Sequence, residues 1–478
     1  MNKPIRRIAF LAMLMFALLL ANGTYLTVVR QDSLDANPYN RRVRDEEFAQ
    51  DRGPILVGST AIASTKPSDD RFRYQRVYSD GPLYAPITGF FSYDHGSSNL
   101  ESSYNSELAG TDGALFVRRL IDTVTNKAPQ GATVQTTIDA AAQEAAAKAL
   151  GNQKGAVAAL DPTTGAVLAM VTSPSYDPNK IASHDVTAAD KAYDTYINAS
   201  GSPMSNRAAR EIYPPGSTFK LVTAAAALAD GRTPDTMIDS PSRLRLPGTT
   251  TYLPNENNCG GTRITLTRAL DVSCNTAFAN LGLSLGQDKL RAQAKAFGFD
   301  ARHLDDVGGA ASQFPDDLNP SQLALSSIGQ FDVAASPLQM AMVSAAIAND
   351  GKLMDPYLVS TVRGPDLSVI DRHTPTELSQ PMTEQNARAL QQMMVSVVQQ
   401  GTGGNGAISG VEVGGKTGTA QSDPNRKPFA WYTSFARSGD KSVAVAVVVE
   451  DADIPRQDIA GGRVAAPIAR ATMQAVLG

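Results

Sequence analysis

Apolar residues run without interruption from position 8 to position 21, and no charged residue occurs from 8 to 29. Lys3, Arg6 and Arg7 precede this stretch, and Arg30 and Asp32 follow it. A charge-free run of that length fits one membrane-spanning helix over residues 8–29. Basic residues at its front put residues 1–7 in the cytoplasm and the rest of the chain outside. The alternative is a cleaved leader, for which Ala21-Asn22-Gly23 supplies small residues at a workable spacing. The charge-free stretch is longer than a leader needs, which favours an anchor.

Beyond the span the pattern changes twice. Residues 30–130 are polar, with turn signals and short strand-like pieces at 55–57, 87–91 and 114–117. Asn37-Pro38-Tyr39-Asn40 with Arg41, Arg42 and Arg44 reads as a charged linker beside the membrane. Positions 133–138 form a strand, and Asp139 stands where it can cap an alanine-rich helix at 140–150. These features predict a small α+β region over 30–150. From 151 onward the apolar runs lengthen. Strands are expected at 155–160 and 166–171, joined by the turn Asp161-Pro162-Thr163-Thr164-Gly165. A block of helices follows, including one at 338–348 that Ser336-Pro337 opens and Asn349-Asp350-Gly351 ends. Strands at 411–419, 429–436 and 442–450 and a helix at 466–477 close the chain. Two strands, many helices and three more strands describe one mostly antiparallel sheet assembled from both ends of a domain. Without regular βαβα alternation, a doubly wound parallel sheet is disfavoured.

One helix start stands out within that block. Tyr213-Pro214-Pro215-Gly216-Ser217-Thr218-Phe219-Lys220 leads into an unbroken helix-forming run. Prolines and glycine belong before a helix rather than inside it, so Ser217 is expected at the helix start as a cap, among free backbone N–H groups. Lys220 lies three residues on and shares its face. A lysine made neutral by burial can take the proton of a serine hydroxyl. Taken alone, the pair is better read as a capping serine with a surface lysine, because capping serines are common.

Composition narrows the field. The chain has 478 residues and a net charge of −4, which argues against nucleic acid as the main partner. His95, His184, His303 and His373 are scattered without ligand spacing, so neither a metal nor another cofactor is expected. The two cysteines, Cys259 and Cys274, can form a disulfide outside the cytoplasm, with two reduced thiols as the alternative. Closing that loop would be worth roughly 3 kcal/mol. Trp431, Tyr432 and Phe435 read as strand packing, although Trp431 could also line a substrate site.

Two further clusters alter the reading of Ser217. Ser273-Cys274-Asn275 and Lys416-Thr417-Gly418-Thr419 are each weak signals. In the order S-x-x-K, S-x-N, K-T-G, and outside the cytoplasm, they are specific. With them the chain resembles the penicillin-binding transpeptidases, and within those the membrane-anchored class B enzymes of the actinobacterial penicillin-binding protein A type. The resemblance extends to Asp51-Arg52-Gly53-Pro54-Ile55, Leu100-Glu101, Tyr104-Asn105 and Asn206-Arg207-Ala208. It continues in Gly329-Gln330, in Ser336-Pro337-Leu338-Gln339-Met340-Ala341, in Gly401-Thr402-Gly403 and in Gly418-Thr419-Ala420-Gln421. Cys274 replaces the commoner Asp at the middle of its motif.

The resemblance implies an α/β penicillin-binding and serine β-lactamase-like domain over 151–478, a mostly antiparallel sheet flanked by helices. It implies a non-catalytic, dimerisation-like domain over 30–150. Ser217 would be the nucleophile, with Lys220 as its base. Ser273 would relay a proton, Lys416 would support that relay electrostatically, and Asn275 would hold Lys220 and the substrate amide. Thr417, Gly418 and Thr419 would form the substrate strand, with both threonines on a terminal carboxylate. Backbone N–H groups of Ser217 and Thr419 would make the oxyanion hole. The implied partners are peptidoglycan stem peptides as donor and acceptor, β-lactams, and a membrane glycan polymerase. The implied location is the cell membrane, single-pass, with the catalytic domain outside.

Other readings exist. A β-lactam sensor or a β-lactamase would use the same fold. Residues 410–417 also fit the phosphate-loop spacing of an NTPase, with Glu450-Asp451 as an acidic strand end for magnesium. A phosphate loop must open a helix, and Gly418 with Ser422-Asp423-Pro424 starts none.

Overall fold

The computed structural model describes residues 3–30, 34, 41–113, 130–421 and 426–478. The expected strand at 114–117 and linker residues 37–40 lie outside the described residues, as do Ser422, Asp423 and Pro424. The apolar N-terminal run is helical from Lys3 to Thr24 and continues as a wider turn over Tyr25–Val29. Among the described residues, Lys3–Val29 is one helix long and apolar enough to cross a membrane, with a mean hydropathy of 1.9. Its side chains are exposed throughout. A helix satisfies its own backbone, so such a segment can face lipid.

The catalytic sheet has five antiparallel strands, in the order Glu412–Ala420, Phe429–Ser438, Lys441–Val449, Gly155–Leu160, Val167–Ser173. Gly155–Leu160 pairs with Lys441–Val449, the last C-terminal strand, and Val167–Ser173 pairs with Gly155–Leu160, so the sheet is assembled from both ends of the domain as the sequence pattern predicts. Lys441–Val449 explains why. Val443, Val445, Val447 and Val449 turn to one face, while Ala444, Ala446 and Val448 turn to the other. Both faces are covered, so the strand is apolar at both phases. On the first face lie Ala142, Ala146 and Leu150 with Ala465, Ala469 and Met473. On the second lies the helix Pro337–Ala348, all of whose residues are buried. Ser336 caps that helix by accepting from Gln339 N–H.

A second sheet of six strands runs Val369–Arg372, Val359–Arg363, Thr133–Thr136, Ile55–Val57, Thr60–Pro67, Tyr74–Tyr78. Two of its strands come from beyond residue 151. The helix Ala140–Leu150, capped by Asp139 as expected, packs on the catalytic sheet. The expected boundary at 150/151 therefore falls between a helix and the sheet it covers. Burial, not chain order, decides that allegiance.

Two local expectations are corrected. Residues 87–91 are not a strand: Gly81–Thr88 is a helix, and only Phe91–Ser92 is extended. A short apolar run does not by itself distinguish the two states. The closing helix is Gly461–Leu477, starting five residues early. Its two leading glycines are buried against the sheet, and that packing outweighs a propensity cost of about 1 kcal/mol per glycine.

The polar motifs of the first 150 residues meet in one buried network. Arg52 donates to Glu101 Oε2 at 2.9 and 3.1 Å, and Arg76 donates to Glu101 Oε1 at 2.6 Å. The Tyr78 hydroxyl adds a bond to Glu101 Oε1 at 3.1 Å, and Arg52 Nη1 reaches Asn105 at 2.7 Å. Glu101 is fully buried. A buried carboxylate persists only when paired in this way.

Candidate active site

Pro214, Pro215 and Gly216 set up a tight turn. Gly216–Phe219 is a 3-10 turn that passes directly into the α-helix Lys220–Ala229. Ser217 therefore lies within the turn and is not a cap: Pro215 holds the cap position, and no side chain caps either segment. Residues three apart nearly eclipse in such a turn, which stacks Ser217 and Lys220 on one side. Gly216 has φ +53°, and a Cβ there would lie 3.0 Å from Thr419 O. A Cβ on Gly418 would lie 2.8 Å from Pro215 O. The nucleophile turn and the Lys416–Thr419 stretch thus touch backbone to backbone. Trp431 is fully buried beneath this junction, and its Nε1–H donates to Pro214 O at 3.0 Å. It supports the turn and does not line the cavity.

The second motif approaches from a different direction. Ser273 ends the turn after the helix Leu266–Asp271, and Asn275 opens the helix Asn275–Leu285. Ser273 has φ +58°, a conformation serine seldom adopts. Lys220 Nζ donates to Ser273 O at 2.8 Å, to Ser273 Oγ at 3.2 Å and to Asn275 Oδ1 at 2.7 Å. Lys416 Nζ donates to the same Ser273 Oγ at 3.0 Å and to Thr417 O at 2.9 Å. Among the described residues, the hydrogen bonds of Lys220 Nζ run to Ser273 and Asn275 and not to Ser217. One hydroxyl therefore stands between two lysines.

Both lysines are fully buried. Burial holds the Lys220 ammonium well below its ordinary pKa, and Lys416 lowers it further. Burial pulls Lys416 down to about 7, against the opposing pull of Glu256 and Asp271. A lysine whose ammonium form is disfavoured, bonded to a hydroxyl that a second such lysine shares, can move a proton, and Lys416 in its charged form can hold an anion.

A cavity of about 340 Å³ opens over this arrangement, lined by Ser217, Asn275, Thr419 and Gln421. Leu325, Ile328 and Phe331 form an apolar wall, and Glu256 stands on the remaining side. Phe331 sits in the left-handed region at φ +61° and remains exposed.

The strap carrying Glu256 is tied to the second motif. Asn275 Nδ2 donates to Pro254 O at 3.1 Å, Thr276 N–H donates to Asn255 Oδ1 at 2.9 Å, and Asn257 Nδ2 donates to Val272 O at 3.2 Å. Cys259 and Cys274 are joined by a disulfide.

Sequence reasoning gave Glu256 and Thr402 no role. The Thr402 hydroxyl lies 2.7 Å from the Thr417 hydroxyl. Gly401-Thr402-Gly403 was legible as a motif, yet its contact with Thr417 needs the fold. The structure also disfavours the phosphate-loop alternative that the sequence context argues against. Glu412–Ala420 is one continuous strand, so no backbone amides curl to cradle a phosphate. Glu450 is no magnesium ligand either: buried, it accepts from Arg207 at 3.3 Å and Tyr213 at 3.0 Å and pairs with Lys154 at 2.9 Å.

Comparison with known proteins agrees with this geometry. Residues 155–474 match the penicillin binding protein transpeptidase domain, and residues 52–134 match the penicillin binding protein A dimerisation domain. The chain is 45% identical to the peptidoglycan D,D-transpeptidase PbpA of Mycolicibacterium smegmatis, with 100% of this chain and 99% of that protein covered. It is 42% identical to the PbpA of Mycobacterium tuberculosis over the same shares of both chains. The solved ceftriaxone acyl-enzyme of M. tuberculosis penicillin-binding protein A superimposes with a TM-score of 0.87 at 41% identity, covering 91% of this chain and 100% of that one. With Ser217 and Asn275 lining one cavity, with Asn275, Lys220, Ser273 and Lys416 joined by hydrogen bonds, and with relatives matched over their full length, the chain belongs to the class B penicillin-binding transpeptidases.

Proposed function

We propose that Ser217 is the acylated nucleophile of a peptidoglycan D,D-transpeptidase that cleaves the D-alanyl-D-alanine bond of a donor stem peptide. The Ser217 oxygen bonds to the carbonyl carbon of the penultimate D-alanine while its proton passes to neutral Lys220. The proton then moves through the Ser273 hydroxyl to the departing amide nitrogen, the C–N bond breaks, and D-alanine leaves. An amine of a second stem peptide attacks the resulting ester. Its C–N bond forms, the C–O bond to Ser217 breaks, and the proton returns to Ser217. Lys416 and the Thr417, Gly418, Thr419 strand hold the donor carboxylate, and backbone N–H groups of Ser217 and Thr419 stabilise the oxyanion.

One observation carries this reading: the Ser273 hydroxyl lies 3.2 Å from Lys220 Nζ and 3.0 Å from Lys416 Nζ, which supports a buried proton relay through Ser273. A β-lactam imitates the donor and is trapped on Ser217, as ceftriaxone is in the M. tuberculosis relative. We assign the helix Lys3–Val29 as a single-pass cell-membrane anchor with the catalytic part outside. In this arrangement residues 30–150 serve as a non-catalytic, dimerisation-like region, and a membrane glycan polymerase supplies nascent strands.

Fluorescent penicillin tests the acyl-enzyme. Stable labelling of wild type that vanishes in Ser217→Ala is expected, whereas rapid loss of label would identify a β-lactamase. Muropeptide analysis of nascent peptidoglycan treated with each protein then tests transfer, with cross-links expected from wild type alone.

A further inference from the structure

Glu256 is the one charged side chain among the described residues that line the Ser217 cavity. It is exposed to solvent, whereas Lys220 and Lys416 are fully buried, Lys220 bonding to Asn275 of the cavity lining. The site is therefore polarised, with two buried amines on one side and one exposed carboxylate at the cavity rim. The strap that carries Glu256 is not a loose loop. Asn255 on one side bonds to Thr276, Asn257 on the other bonds to Val272, and the Cys259–Cys274 disulfide closes the strap onto the Ser273 turn. Holding an exposed acid at fixed distance from a nucleophile costs conformational entropy, and among the described residues the carboxylate has no hydrogen bond that would explain the cost.

Two substrates must meet the acyl carbon from different sides. The donor brings a carboxylate, which suits the buried lysines. The acceptor brings an amine, which arrives as an ammonium at neutral pH. We propose that Glu256 is the acceptor-docking residue, pairing with the ammonium of the incoming stem peptide and setting the preference for a cationic nucleophile over water. The proposal rests on the transpeptidase reading above. After docking, the ammonium gives one proton to solvent at the open mouth. The free amine attacks the Ser217 ester, its second proton passes to Lys220 and then to the Ser217 oxygen as the C–O bond breaks, and the new amide leaves. No oxidant or further reactant is required. Glu256 also offsets part of the lysine charge electrostatically, so a test must separate acceptor docking from any effect on acylation.

Partitioning of one common acyl-enzyme makes that separation, because it does not depend on how fast the acyl-enzyme forms. Full-length protein in detergent is acylated with a thioester donor. It is then offered Nα-acetyl-L-lysyl-D-alanyl-D-alanine, whose side chain is an ammonium, or hydroxylamine, which is neutral at pH 7.5. In Glu256→Gln the ratio of aminolysis to hydrolysis for the lysyl acceptor should fall about fivefold, the value of one exposed ion pair. The hydroxylamine ratio should hold. Added salt should lower the lysyl ratio in wild type and leave the variant nearly unchanged.

A lysyl ratio unaltered in the variant overturns the proposal, as does an equal fall for both acceptors. Slower acylation with unchanged partitioning also overturns it and assigns Glu256 to the donor or to the lysine pair. If wild type forms no acyl-enzyme at all, it is the transpeptidase reading that fails.

Discussion

Lys416 Nζ stands 3.0 Å from the hydroxyl oxygen of Ser273, a residue 143 positions earlier in the chain. The contact joins the edge strand of the catalytic sheet to a turn in the helical block. It also brings Lys416 to the same hydroxyl that Lys220 Nζ bonds.

Acylation should be bell-shaped in pH. Lys220 must be neutral to accept the Ser217 proton, so the rate rises as pH climbs through its depressed pKa. Lys416 must be cationic to attract the donor carboxylate, so the rate falls as pH passes about 7 in the free enzyme. The second-order constant for penicillin acylation, followed from pH 5 to 10, checks this. A steady rise through pH 9 would contradict the assignment. The same shift has a stability consequence. The folded pKa of Lys416 lies below the unfolded value of about 10.4, so its burial penalty is full below pH 7. That penalty is relieved as pH rises from about 7 to about 10.4.

Lys220→Met should separate catalysis from folding. It removes the base, so acylation is expected to fall by about 10²- to 10⁴-fold. It also removes a buried amine whose desolvation opposes folding, so thermal stability should change little or increase. Stopped-flow acylation and a thermal melt on the same sample give both numbers. A large stability loss with little loss of rate would assign Lys220 a structural role.

Paired replacement of Cys259 and Cys274 by serine should cost about 3 kcal/mol of stability. The strap from Pro254 to Cys259 would be left with its side-chain bonds to Val272 and Thr276. Acylation should slow because Asn275 and Ser273 lose a constraint. Denaturant unfolding together with penicillin labelling checks both effects, and unchanged values in both would show that the hydrogen bonds alone hold the strap.

Glu101→Ala should be among the most damaging substitutions far from the cavity. It strands Arg52 and Arg76, both buried, and an uncompensated buried charge costs about 3–5 kcal/mol. Burial alone would raise the Glu101 pKa, but Arg76 and Arg52 outweigh burial and hold it below the usual carboxylate value. Its contribution is therefore present above the unfolded pKa of about 4.3 and is lost as pH falls through the folded one. Acid melts of wild type and variant should converge at low pH.

Much of this protein is determined by sequence alone. The membrane-length run, the five catalytic strands, the cap at Asp139 and the cap at Ser336 follow from local chemistry and period. So do the candidacies of Ser217, Lys220, Ser273, Asn275 and Lys416, because their motifs keep a fixed order and short internal spacing. Tertiary structure decides what lies beyond the reach of one element. Ser217 reads as a cap, yet the packing of Gly216 against Gly329 and Thr419 draws it into a 3-10 turn. Residues 87–91 read as a strand, because a short apolar run looks alike in both states. The helix at 140–150 reads with the N-terminal region, and burial assigns it to the catalytic sheet. Glu256 and Thr402 carry no local signal, since each gains meaning only through a partner distant in sequence. Local propensity is written in neighbouring residues, whereas a lysine's lowered pKa and a cavity's polarity are sums over everything folded around them.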